Sequence, residues 1–225
     1  MHIPSVERTK DMEIETFDSA LKEALVPNGE YDVNKWLYVP CVYTEYRYIL
    51  GTRGKNPLIC IGINPSTARP DDLDNTLKSV ERVALFNGFD SFIMFNVYAQ
   101  RATSPDDMER EKNEQLHAEN MKAFEYVLGL CEAGKRPHIW AAWGTIIEKR
   151  EYLCECVRDM IDIGEKHNAE WCMAGRPSKA GHPHHPLYLP KNSALEPFDP
   201  ALYLEKTAIS VADKKLKRHG KGSEN

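Results

Sequence analysis

The chain has 225 residues, 29 Lys+Arg against 34 Asp+Glu and a formal net charge of −5, with 42% hydrophobic and 28% charged residues. That balance fits a globular protein able to bury one sizeable core, and it excludes collagen-like, coiled-coil and fully disordered chains. No apolar run approaches the roughly 20 residues that span a bilayer, and the net acidity argues against a protein held to DNA by bulk charge.

The first residues, Met1 to Arg8, lack the apolar stretch of a secretory signal, so a cytoplasmic protein is expected. Six cysteines fit a reduced chain. Only Cys154 and Cys156 are close, and no second pair completes a zinc pattern, so no metal and no cofactor is expected.

Residues 1–45 show no clear period and read as an extension packed on the main domain. Within them, Phe17 to Leu25 is a short amphipathic helix ended by Pro27-Asn28-Gly29. The main domain is expected over 46–205. Tyr43 to Leu50, rich in Tyr, predicts a strand. Leu58 to Ile63 is a continuous apolar run, as in a strand buried on both faces. A helix follows from about Asp74 to Asn87, with Val80, Val83, Ala84 and Leu85 on its apolar side and Gly88 beyond it.

Phe92 to Phe95 is the next buried strand and ends at Asn96-Val97-Tyr98. Thr103-Ser104-Pro105-Asp106-Asp107 has a capping hydroxyl and an early Pro, which predicts a helix running to Leu130. His138 to Gly144 is a third strand. It leads into a helix from Thr145 to His167, and Glu170 to Met173 is a fourth strand. A Pro- and His-rich loop spans 177–190. The end of the chain, 206–225, is basic, with Lys214, Lys215, Lys217, Arg218, His219 and Lys221.

Strand and helix alternate, which implies an α/β fold with a mostly parallel sheet covered on both faces. Ligands bind such sheets at the carboxyl ends of the strands. The unusual residues fall there. Gly62 permits close approach, Pro65 stiffens the turn, and Asn64 presents an amide between Ile63 and Ser66. Asn96 ends the neighbouring strand, where an amide can bond a base edge in paired donor–acceptor fashion. Each Asn alone also suits a turn or a strand-end cap.

Gly181 to Tyr188 holds His182, His184 and His185. One of them could stabilise charge on a leaving group, as His182 or His185 at the strand ends would do. The loop equally suits a rigid surface turn or, less readily, a metal site. Arg101 and the basic end are candidates to meet phosphate. Trp140 and Trp143 read as core.

Gly62 to Ala68, Asp71 to Thr76, Asn96 to Thr103 and His185 to Leu189 together resemble a family found in bacteria and phages, domain of unknown function 1643. Its marks are N-P-S-T-A after a strand, N-x-x-x-x-R-A, and a late H-P-L-Y. A more distant resemblance is to the uracil-DNA glycosylase superfamily. Gly62-Ile63-Asn64-Pro65-Ser66 is similar to the G-I-N-P-G of its thymine- and mismatch-specific branch. Phe92 to Asn96 is similar to the superfamily's apolar strand ending in a base-reading Asn. Arg101 to Pro105 resembles the Arg-Thr-Thr-Pro stretch that follows, and Ile139 to Thr145 an apolar strand ending Trp-Gly-Ser. The last motif, often H-P-S-P-L-S, is matched loosely by His182-Pro183 and by His185-Pro186-Leu187.

This resemblance implies a three-layer α/β/α fold that cleaves the N-glycosidic bond of a base in DNA or in a nucleotide. Asn64, His185 and His182 would be catalytic, with Asn64 orienting water. Gly62, Ile63, Pro65, Ser66, Asn96, Tyr98, Arg101, Gly144 and Tyr188 would contact substrate. Ser66 departs from the second Gly of the branch motif, and Tyr188 and Leu189 replace small serines that would pinch DNA, so duplex DNA fits less well than the base itself. The rival reading is a nucleotide- or nucleic-acid-binding module without turnover, since an amide has no basic carboxylate. A metal-dependent hydrolase built on the histidines is a third. An Asp at position 64, near-equal in size, is expected to leave the turn intact and to retain activity.

Overall fold

The computed structural model describes residues 12–102 and 104–207. Its elements in chain order are α1 (Phe17–Ala24), β1 (Trp36–Val39), β2 (Ile49–Thr52), β3 (Pro57–Gly62), α2 (Asn75–Phe86), β4 (Ser91–Asn96), α3 (Glu114–Leu128), β5 (His138–Ala141), α4 (Tyr152–Lys166), β6 (Glu170–Ala174) and β7 (Leu195–Pro197). A last helical stretch covers 200–207. Short 3-10 turns lie at Pro105–Asp107, Gly144–Lys149 and Pro186–Tyr188.

The strands form one mixed sheet in the order β1-β2-β4-β3-β5-β6-β7. Its four central strands are mutually parallel, and antiparallel pairs close both edges. β3 and β4 are buried at every position, which explains their unbroken apolar runs. On one face Cys60, Met94 and Trp140 pack against Leu77, Val80, Val83 and Ala84 of α2. On the other, Ile61, Phe95 and Trp143 pack with α1, α3 and α4 through Phe17, Phe124 and Val157.

The chain leaves β3 through α2 toward β4. It leaves β5 through α4 toward β6. β3 and β5 are neighbours whose connections depart in opposite directions, so a crevice opens between their carboxyl ends.

Several elements differ from those expected. β1 lies within the expected extension and is an edge strand of the same sheet. The Tyr-rich strand is confined to Ile49–Thr52. Before it, Tyr46 bridges Gln100 and the Arg47 N–H donates to the Ala99 carbonyl. The helix expected from Thr103 to Leu130 is a 3-10 turn followed by α3, which Asn113 caps by accepting from the Leu116 N–H. Arg150 supplies the reason. Its guanidinium donates to the carbonyls of Asp106, Met108 and Glu109, groups that a continuous helix would have used itself. Arg150 is itself extended, with φ −135°, and so divides the expected 145–167 helix into a 3-10 turn and α4. β7 is a short edge strand that sequence periodicity did not signal. Thr103, the N-terminal residues 1–11 and the basic residues 214–221 lie outside the described residues.

Candidate functional site

A pocket enclosing about 410 Å³, mouth included, opens at the carboxyl end of β3. The segment after β3 supplies Ile63, Asn64 and Ser66. The start of α2 supplies Asp74 and Thr76, the turn after β5 supplies Ile146, and the late loop supplies His185. Gly62, Met94 and Arg47 complete its inner wall. This is the crevice that the strand order creates.

Asn64 is held by its own amide. Nδ2 donates to the Ala102 carbonyl at 2.8 Å and to the Pro65 carbonyl at 3.3 Å. With both hydrogens committed to backbone, Oδ1 is what the side chain offers to the pocket, and an oxygen acceptor can orient the O–H of a water.

Asn96 stands opposite Gly62 in register and is 1% exposed. Its carbonyl accepts from Asn120 Nδ2 at 3.1 Å, but its side-chain Nδ2 and Oδ1 have no hydrogen-bond partner. A buried amide left this way costs about 1–3 kcal/mol for each unmet group. Asn96 does not itself line the pocket; it lies behind Gly62, which does and which has no side chain to stand between them. A Cβ there would come within 3.1 Å of Asn96 Nδ2 and 2.6 Å of Met94 Cε.

His185 precedes the 3-10 turn Pro186–Tyr188 and accepts at Nδ1 from the Leu187 N–H at 3.4 Å. Nδ1 therefore carries the lone pair, and the ring proton sits on Nε2. Burial holds its pKa below the usual histidine value, against an upward pull from Asp74. The loop is fixed to α2 by Ser79, whose buried hydroxyl donates to the Pro186 carbonyl at 2.8 Å. Gly144, at φ +62°, lies beside His185; a Cβ there would meet His185 Cβ at 3.6 Å.

Of the other expected site residues, His182, Tyr98, Pro65 and Arg101 lie elsewhere. His182 is buried outside the pocket, with Nδ1 2.8 Å from Tyr203 Oη and Nε2 3.1 Å from Glu148 Oε1. Tyr98 faces the opposite side of the sheet. It donates to Glu109 Oε2 at 3.1 Å, and its hydroxyl accepts from the Asn113 N–H at 2.8 Å. Pro65 is buried in the turn, and Tyr188 closes the late 3-10 turn. Arg101 is buried behind the 66–68 loop. It donates to the Ser66 carbonyl and, at 3.1 Å, to Tyr38 Oη, and it covers the Tyr43 ring at 4.5 Å.

Sequence reading missed two groups. Asp74 looked only like a helix start; its Oδ1 accepts from the Leu77 N–H at 2.9 Å while the residue lines the pocket. Arg47 lay inside an expected strand. It is 1% exposed, donates through Nη1 to the Ala68 carbonyl at 2.9 Å, and leaves Nε and Nη2 without partners. Burial and the neighbouring Arg101 push its pKa down to about 9. Among the described residues no three His, Cys, Asp or Glu side chains are grouped to hold a metal ion.

A family model described as "Protein of unknown function (DUF1643)" matches residues 47–187, more than half of the chain. The chain belongs to this family. The matched span begins at Arg47 and ends just beyond His185, so it includes every pocket residue. No curated protein and no solved structure matches the chain.

Proposed function

We propose that this domain recognises a nucleobase and hydrolyses its N-glycosidic bond, in DNA or in a nucleotide, on a three-layer α/β/α scaffold of the uracil-DNA glycosylase kind. The observation that carries the reading is Asn96. A buried amide with donor and acceptor both unmet, behind a glycine wall, matches the paired edge of a base. Asn64 Oδ1 would hold the attacking water. Asp74, a carboxylate in the same pocket, answers the objection that an amide cannot take a proton.

In this scheme the water oxygen bonds to the anomeric carbon as the C–N bond breaks. The bonding pair leaves with the base, and His185 Nε2–H stabilises the charge that develops there. The water proton passes to Asp74 and balances the proton that the released base acquires. Asp74 also faces the positive charge that builds on the sugar.

The test is base release. The protein is incubated with modified-base oligonucleotides and free nucleotides, and the products are analysed by mass spectrometry. Released base that is lost in Asn64→Ala supports the reading. Binding without release on every substrate would replace it with a non-catalytic module.

A further inference from the structure

We propose that Arg47 and Arg101 form a buried subsite for a singly charged phosphate group, on the side of the pocket formed by the 66–68 loop. Both side chains are essentially unexposed, and neither is ion-paired among the described residues. Backbone pairing brings them together: the Arg47 N–H donates to the Ala99 carbonyl, and the Arg101 N–H to the Glu45 carbonyl. Two guanidinium groups then lie within electrostatic reach in a dry interior: burial lowers the tolerance of both for charge, and Arg101 lowers that of Arg47 further.

The bland account is that the pair clamps the loop through the Ser66 and Ala68 carbonyls. Neutral donors would serve a clamp as well and would not repel. The bonds made also leave Arg47 Nε and Nη2 and Arg101 Nε unmet. Arg47 lines the pocket, so an anion entering there meets this guanidinium first, with Arg101 behind it at the 66–68 loop.

The rest of the wall suits the same ligand. Ser66 and Thr76 line it with hydroxyls. Thr76 also stands in the first turn of the 12-residue α2, where N–H groups lack helical partners. Asp74 is the opposing charge. On the pocket wall the Arg47 guanidinium stands against the Asp74 carboxylate, and the buried Arg101 adds a second positive charge behind the wall; with His185 held toward its neutral form, one negative charge is left to be supplied. A phosphodiester or a phosphate monoanion supplies it, with oxygens that match the guanidinium fork. The choice of a nucleotide phosphate rests on the base-pocket reading; the anion subsite itself rests on the arginines.

The first probe is inorganic phosphate, titrated against chloride at matched ionic strength and followed by thermal unfolding and calorimetry. Wild type is expected to be stabilised by phosphate. Arg47→Met is expected to unfold at an equal or higher temperature without phosphate, because a buried repulsion is removed, and to lose about tenfold or more in phosphate affinity. Arg47→Lys keeps the charge but loses the fork, so it should bind at an intermediate level; it serves as the comparison if Arg47→Met does not fold. Parallel titrations with a nucleoside 5′-monophosphate and with a short single-stranded oligonucleotide lacking bases distinguish a free nucleotide from a polymer as the phosphate source. A wild type that ignores phosphate, or an Arg47→Met that binds it unchanged, overturns the subsite. Failure to release any base while phosphate binding persists overturns the glycosidase reading alone.

Discussion

Gly62 and Asn96 face each other across the parallel β3–β4 pair, so close that one added methyl group on Gly62 would lie 3.1 Å from the Asn96 amide nitrogen. The methyl would also reach 2.6 Å from Met94 Cε, the far end of a flexible side chain that can move aside. Gly62→Ala is therefore expected to fold, with a loss of about 1–3 kcal/mol from overpacking. It should weaken base binding far more than that loss implies, because it displaces the amide. Urea unfolding and base titration on the same sample check both parts; unchanged base affinity would remove Asn96 from base recognition.

Asn64→Ala should lower base release on the order of 10²-fold, as expected when a group that positions a reactant is removed. Asn64→Asp was expected from size alone to leave the turn intact. The geometry alters that expectation. A carboxylate would set oxygen against the Ala102 and Pro65 carbonyls, where Nδ2 now donates at 2.8 and 3.3 Å. Asn64→Asp should thus be destabilised by about 1–3 kcal/mol. Its unfolding midpoint, measured beside that of Asn64→Ala, is the check.

Asp74 caps α2 and lines the pocket, and one substitution separates the cap from the proposed proton acceptor. Asn caps a helix about as well as Asp does, so Asp74→Asn should keep α2 and change stability by only a few tenths of a kcal/mol. If the carboxylate takes the water proton, base release should fall about 10²–10⁴-fold in the same variant. Equal turnover in wild type and Asp74→Asn would show that the side chain is a cap alone.

His185 makes folding sensitive to pH. Its folded pKa lies below the unfolded value of 6.5, because burial disfavours the cation. Between the two values the unfolded chain holds a proton that the folded chain does not, so stability rises with pH in that window. The contribution is complete above 6.5 and is lost as pH falls through the folded value. His185→Gln should flatten this part of the profile, read as unfolding midpoints between about pH 5 and pH 7.5. An unchanged profile would mean that the ring is not desolvated.

Position along the chain determined much of this molecule. β3, α2 and β4 were legible because each burial pattern is local: an apolar run buried on both faces, or a stripe of period 3.6 behind the Asp74 cap. The strand-end Asn64 and Asn96 were legible for the same reason. The tertiary structure decided what no window of sequence contains. Arg150 breaks two expected helices by bonding carbonyls more than 40 residues away. His185 and His182 are near-identical in context, yet the strand order and the Ser79 anchor carry one to the pocket, while Tyr203 and Glu148 hold the other outside it. Arg47 reads as one more residue of a Tyr-rich stretch. Only the pairing of that stretch with Ala99 and Gln100 buries it beside Arg101, because charge is tolerated or strained according to what surrounds it in space rather than in sequence.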